Sequence, residues 1–345
     1  MKKILMTAVV CMYIAAAGQA AGQAAGQSQP KQQTERQTEE LPAAEAQTRQ
    51  AVVALSGIYM RIAPDYESAL ETQELMGTVV EVTGEKGYWR EIVSPQPYKA
   101  WCTEKGIVEM GPEAIEAYKA APKCIFTDLY GHVYESPSCG AATVCDLVGG
   151  DVLRLAGGKG CKGKGRWTAV ILPSGQTGWV KSDQIRPHDG FRSIAMGEGN
   201  AESISDRVME DVIATAFRLK GVPYLWGGMS PKGVDCSGLV RWSCLMNGIL
   251  LPRNASQMIS CGEEVPLTLP QDGNAPGIDN LQRGDFVFFG TPARDGAKQR
   301  VTHVGIYIGN NRIIHSSHLV RVNSLIPGDE DYYENAHKLI AARRL

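Results

Sequence analysis

Two short stretches near the C-terminus carry the residue types needed to break an amide. The first runs from Gly221 through Pro223, Tyr224 and Trp226 to Gly228, and resumes as Gly233, Val234, Asp235, Cys236, Ser237 and Gly238. Asp235 or its neighbour can cap a helix, which puts Cys236 in the first turn. There the free amides and the helix dipole favour thiolate over thiol, so the expectation is an ionised, nucleophilic Cys236. The apolar side of that helix would be Leu239, Val240 and Leu245 or Met246. Cys244 and Cys261 lie outside these two stretches and read as buried structural residues. The second stretch holds Gly284 to Phe289 and then Thr302 to His315, whose alternation about Gly309, Asn310 and Asn311 predicts a β-hairpin. A nucleophilic thiol needs a base, and the base needs a third group to orient its ring. His303 and His315 are the candidates. Their imidazoles share a face only if the loop has an odd number of residues: three would set His315 opposite Gly305, whereas a two-residue Asn310-Asn311 turn would pair His303 with His318.

A helix must precede this constellation. Val208 and Met209, Val212 and Ile213, Ala216 and Phe217, and Leu219 recur at three and four, with Asp206 and Glu210 in the first turns and Gly221 to Pro223 as the stop. Upstream lies an internal repeat. Gly77, Trp89 and Trp101 are echoed by Gly150, Trp167 and Trp179; both tryptophan pairs are 78 residues apart and the glycines 73, so the second copy carries about five extra residues between Gly157 and Gly165. Short β-branched runs bounded by Gly, Pro and Ser predict antiparallel strands in each copy, hence two small barrels with the tryptophans mainly in their cores. Residues 188–206 read as a polar linker and 21–50, rich in Ala, Gln, Gly, Glu and Thr, as a disordered one.

The 345 residues start with Met1, Lys2 and Lys3, an apolar run from Ile4 to Ala17 and small residues to Ala20, which is the pattern of a secretory signal over 1–20. The run is too short for a permanent span, and Val10 before Cys11 disfavours lipidation. An exported, periplasmic or cell-envelope location follows. A net charge of -2 removes the basic field that nucleic acid or anionic lipid requires. Nine cysteines contain no C-x-x-C pair, so no metal site and no cofactor are expected; Cys139 and Cys145 are spaced to close a small disulfide loop. A monomer is expected.

Taken in order, PYLWGG at 223–228, DCSGLV at 235–240, RGDFVFF at 283–289 and HVGIYIGNNRIIHS at 303–316 resemble the NlpC-type family of papain-like cysteine peptidases, over about 207–345. The segment from Ile58 to Pro64 and the closing Ala100-Trp101 resemble bacterial SH3-like domains over 51–111, and more weakly over 112–187. The resemblance implies an α+β fold, a papain-like domain whose helical part packs on an antiparallel sheet, preceded by two SH3-like β-barrels. It implies Cys236 as nucleophile, His303 as base and then acid, His315 as the orienting group, a Cys236 amide in the oxyanion hole and Tyr224 lining the site. The whole arrangement is similar to the dipeptidyl-peptidase VI branch, which cleaves peptidoglycan stems between γ-D-glutamate and a diamino acid when the N-terminal L-alanine is free. That branch implies substrate contacts for Tyr98, Asp235 and Ser237. Asp235 would meet the substrate ammonium or else only cap its helix, and Trp226 would be a pocket wall or core. The branch also sets a glutamate of the first barrel on the amine; Ala69 stands at the matching position here, leaving Glu67 and Glu71 as nearby carboxylates. The rival classes are a wall-binding protein without turnover and an amidase or acyltransferase on the same scaffold.

Overall fold

The computed structural model describes residues 49–95, 97–157, 166–197, 203–268, 277–293 and 298–345. The expected signal segment, Cys11 and Cys161 lie outside the described residues. The first sheet holds β1 (Arg49–Val53), β2 (Ile58–Arg61), β3 (Leu70–Glu74), β4 (Val79–Lys86), β5 (Trp89–Ser94), β6 (Tyr98–Thr103) and β7 (Ile107–Met110) in the order β3-β2-β6-β5-β4-β1-β7. Arg49 and Gln50, read from sequence as the end of a linker, are already strand: they pair with Val82 and Glu81 because β1 is clamped between β4 and β7. The helix α1 (Pro112–Ala120), with Pro112 in its first turn, then leads to a second sheet.

That sheet contains β8 (Lys123–Phe126), β9 (Tyr130–Tyr134), β10 (Thr143–Val148), β11 (Val152–Leu155), β12 (Trp167–Ile171), β13 (Thr177–Lys181) and β14 (Ile185–His188), ordered β10-β9-β13-β12-β11-β8-β14. Strand for strand this is the order of the first sheet, so the repeat in the text is a repeat in the fold. Alternation builds each core. In β4, Val80 and Val82 face inward with Ala51, Met60 and Ile92 while Glu81 and Thr83 face out. Cys139 and Cys145 are both free thiols, so the disulfide expected from their spacing is absent; Cys145 lies on β10 and Cys139 in the exposed turn before it.

The third domain has α2 (Asp206–Arg218), the two-residue strands β15 (Arg192–Ser193), β16 (Met229–Ser230), β17 (Gly233–Val234) and β18 (Ile249–Leu250), and the helices α3 (Cys236–Leu245) and α4 (Ala255–Met258). β15 lies in the stretch read as a plain linker and pairs in parallel with β18. An antiparallel sheet follows, β19 (Glu263–Glu264), β20 (Phe286–Thr291), β21 (Arg300–Tyr307), β22 (Arg312–Ser317), β23 (Leu319–Ser324) and β24 (Leu339–Arg344), in the order β19-β24-β20-β21-β22-β23. The fold is thus α+β, with helices on one side of an antiparallel sheet and two all-β modules ahead of it.

α3 is buried on every side, Arg241 and Ser243 included. Its outer face, which an ordinary surface helix would give to water, is covered by the β modules: the Trp242 indole donates to the Gly149 carbonyl at 2.7 Å, and Arg241 approaches Glu74 of β3 at 3.6 Å. The modules are joined to one another by the Asp151 carboxylate, which accepts from the amides of Met76 and Val148.

Candidate active site

Asp235 starts α3. Its Oδ1 accepts from the Gly238 amide at 2.6 Å, so Cys236 is the first helical residue. Gly238 is required by contact rather than by backbone freedom: a Cβ there would lie 2.0 Å from the Gly228 carbonyl oxygen. Cys236 keeps 9 % of its surface. The amides of Ser237 and Val304 point at its sulfur, which sets the thiol against β21 one residue from His303. The ionised thiol expected from the helix dipole is not what this environment favours. Burial, and after it the Asp235 carboxylate, push the Cys236 thiol up to about 11, outweighing the two amides.

The hairpin loop has three residues, Gly309, Asn310 and Asn311, all with positive φ, and Ile308 bonds Arg312 across it. Ile306 therefore pairs with Ile314, which places Gly305 opposite His315 and excludes the register joining His303 to His318. The side chains of His303 and His315 meet: Nε2 of His303 lies 2.7 Å from Nδ1 of His315. Nε2 of His315 lies 2.9 Å from Oδ1 of Asn323, whose Nδ2 donates to the Asp331 carbonyl at 2.7 Å.

That last bond fixes the whole chain of protons. With its amide nitrogen committed to a carbonyl, Asn323 offers His315 only an acceptor, so Nε2 of His315 carries the hydrogen. Nδ1 of a neutral His315 is then an acceptor, Nε2 of His303 must donate to it, and Nδ1 of His303 is left with a free lone pair. Burial lowers both rings, His303 to about 3 with help from His315 and Arg321, and His315 to about 4. Both are neutral at neutral pH. Tyr333 walls the pair, its ring centroid 4.6 Å from His315 and 5.5 Å from His303. The arrangement is a neutral thiol held against the Val304 amide and, one residue away, a neutral imidazole whose Nδ1 lone pair is uncommitted.

Asp235 and Ser237 flank Cys236 and belong to a buried hydrogen-bond network. The Asp235 carboxylate receives Gly238, Ser237 and Arg253 on Oδ1, and Gly227 and Arg253 on Oδ2, the shorter guanidinium contact being 2.6 Å. Five donors converge on it, so of the two roles read from sequence the capping one is occupied in this structure. Ser237 is likewise buried, donating to Asp235 and accepting from Arg253 at 2.9 Å. Trp226 is 66 % exposed and belongs to no core. Tyr224 is half-buried; burial and then the neighbouring Cys236 and Asp235 raise its hydroxyl.

Tyr98 arrives from the first β module. Its hydroxyl donates to the Glu71 carboxylate and lies beside the Asn254 side chain, and burial with Glu71 holds it up at about 12. Glu71, Pro97, Tyr98 and Gln257 line one recess where β3 and β6 meet the start of α4. Glu67, by contrast, is exposed. A larger cavity of about 720 Å³ between the two modules and the end of α3 contains none of these residues.

Sequence reading missed Arg253, Asn323 and Tyr333. A lone arginine after the apolar run Ile249 to Leu251 was the available signal for a buried partner, and Asn323 follows His315 by eight residues on the adjoining strand.

Residues 221–340 match the NlpC/P60 family. The chain is 29 % identical over 275 residues to the γ-D-glutamyl-L-lysine dipeptidyl-peptidase of Bacillus cereus, covering 75 % of this chain and 70 % of that one. It is 27 % identical over 266 residues to dipeptidyl-peptidase 6 of Lysinibacillus sphaericus, covering 76 % and 86 %. A crystal structure of an NlpC/P60 family protein from Bacillus cereus has the same fold, with a TM-score of 0.64 at 23 % identity over 86 % of this chain and 99 % of that one. Residues 221–340 of this chain are an NlpC/P60 domain, the domain of a cysteine-peptidase family.

Proposed function

We propose that the protein is an exported endopeptidase that hydrolyses peptidoglycan stem peptides between γ-D-glutamate and the diamino acid, acting on free muropeptides whose L-alanine amine is unblocked. The two β modules are SH3-like domains, at 51–111 and 112–187, that close one end of the cleft. Cys236 attacks the γ-carbonyl carbon while its proton passes to Nδ1 of His303, and the carbonyl oxygen takes the electron pair beside the Cys236 amide. Collapse breaks the C–N bond, His303 returns the proton to the leaving amine, and a thioester to L-Ala-γ-D-Glu remains. Water, deprotonated by the same nitrogen, resolves the thioester and restores the thiol. His315 orients His303 through the bond to Nε2, and Tyr224 and Trp226 flank the substrate.

The observation that carries the reading is the Glu71 and Tyr98 pair, delivered by the first module to the start of α4. A carboxylate there meets an ammonium with a charge-assisted bond, worth roughly 1.5–3 kcal/mol over a blocked amine. In this reading Glu71 meets the amine, and Asp235 holds the start of α3. The test is incubation with L-Ala-γ-D-Glu-diaminopimelate, its N-acetyl form and intact sacculi, alongside Cys236→Ala. Release of L-Ala-γ-D-Glu from the free tripeptide alone, lost in the variant, is expected. Sacculus binding without cleavage, or ligation to an added amine, would replace the reading with that of a wall binder or a transferase.

A further inference from the structure

The charge nearest the histidines that the proposed reaction leaves unused is Arg321. β23 pairs with β22 so that Arg321 stands directly opposite His315. Directly opposed residues project from the same face, here the face that carries the dyad. Nε of Arg321 is buried and has no hydrogen-bond partner. Among the described residues no carboxylate lies within ion-pair distance of it, whereas the buried guanidinium groups of Arg241 and Arg253 both face acids. Its charge bears on His303, His315 and Tyr333, and the Tyr333 hydroxyl in turn senses Cys236.

An unpaired cation in this position is unfavourable twice over. A buried donor is left without an acceptor, and a fixed positive charge opposes the imidazolium that His303 must become when it takes the thiol proton. Glu334, the one acid that bears on His315, is exposed. An anion seated on Arg321 during turnover removes both penalties. The leaving nitrogen is the atom that His303 protonates, so the groups carried by that nitrogen's own residue pass closest to the dyad. The acyl half, held at its amine by Glu71 and Tyr98, is anchored on another domain.

Resting on the reaction proposed above, we propose that Arg321 binds a carboxylate of the leaving diamino acid and so makes a carboxylate beyond the scissile amide a condition for fast turnover. Two sources share this chemistry: the carboxylate next to the released amine, and the distal carboxylate that diaminopimelate has and lysine lacks.

Steady-state kcat/KM on L-Ala-γ-D-Glu followed by diaminopimelate, by lysine or by lysine amide separates them. The wild-type protein is expected to cleave the lysine amide about 10- to 100-fold more slowly than the best carboxylate-bearing peptide. Arg321→Gln should remove that advantage, and Arg321→Lys should restore part of it. If the diaminopimelate and lysine peptides fall together, Arg321 holds the carboxylate next to the amine; if only the diaminopimelate peptide falls, it holds the distal one. An equal loss on all three peptides, or none, overturns the proposal. Calorimetry of Cys236→Ala against Cys236→Ala/Arg321→Gln reads the same contact without turnover, and a loss of affinity on carboxylate-bearing peptides alone supports it. Should the wild-type protein cleave none of the peptides, the hydrolase reading falls, while calorimetry still decides on Arg321.

Discussion

Asn323 controls the direction of every proton in the dyad, and Asn323→Asp should reverse it. The carboxylate would stand where Oδ1 now lies 2.9 Å from Nε2 of His315. Charge centres about 4 Å apart at an effective dielectric of about 20 interact by roughly 4 kcal/mol, or about three pK units. His315, held down at about 4, would rise to roughly 7. The raised pKa means that the imidazolium exists below pH 7 and disappears above it. As an imidazolium, His315 donates from Nδ1 to His303, whose own proton is forced onto Nδ1, and the lone pair meant for the thiol is gone. Measured as kcat/KM on the free tripeptide, the variant should lose about tenfold per pH unit below 7 and recover above 8, while the wild-type protein shows no such limb until its histidines titrate far lower. Nitrogen NMR of the rings should show His303 protonated at Nδ1 at pH 6. Aspartate also lacks the donor that Asn323 gives to the Asp331 carbonyl, a loss of about 1–3 kcal/mol read from Tm. An acid limb at the same pH in both proteins would refute the tautomer chain.

The neutral thiol can be checked by alkylation. With Cys236 pushed up to about 11, iodoacetamide labelling of that residue, followed by peptide mass spectrometry, should accelerate about tenfold per pH unit from 7 to 9; a plateau below pH 8 would mean a preformed thiolate. Arg253→Met leaves a buried carboxylate unpaired and should destabilise the protein by about 3–5 kcal/mol in urea, with part of that recovered by adding Asp235→Asn, and a loss under 1 kcal/mol would remove the ion pair from the account. Glu71→Gln should lower kcat/KM for the free tripeptide by roughly 10- to 100-fold and hardly affect the N-acetyl form. Equal effects on both would take the amine away from Glu71.

The sequence carried most of what is local and periodic. Tryptophans 78 residues apart correspond to two sheets of one strand order, and the requirement that two histidines share a face led to the three-residue loop. Side-chain identity alone misled where the decisive partner lies far along the chain. Asp235 left two roles open because Arg253, 18 residues on, had no visible link to it. Cys236 looked ionised because a helix start is legible in sequence and its burial against β21 is not. Glu71 stayed undecided beside Glu67 because Ala69 stands in the place of the acid, whereas β3 bulges opposite Met60 and Arg61, where simple counting fails.

These long-range partners explain why the β modules belong to the enzyme and are not appendages. β3 is the edge strand of its sheet, and an uncovered edge invites unwanted pairing. Here the peptidase domain covers it, and three successive residues of β3 are used in doing so: Thr72 accepts from Nε of Arg253 at 2.7 Å, Gln73 accepts from the Met229 amide at 2.8 Å, and Glu74 faces Arg241. Glu71, next to them, meets Tyr98 of its own module. Arg253 in turn holds the carboxylate that caps α3, so the position of the first helical residue depends on a hydroxyl in another domain. The thiol and the carboxylate proposed to read the free amine are therefore referenced to one strand, with Glu71 and Thr72 adjacent in sequence. A cleft measured from a single rigid element keeps its length when the domains flex, which is what an enzyme needs if it is to count two residues from a free end to the bond it cuts.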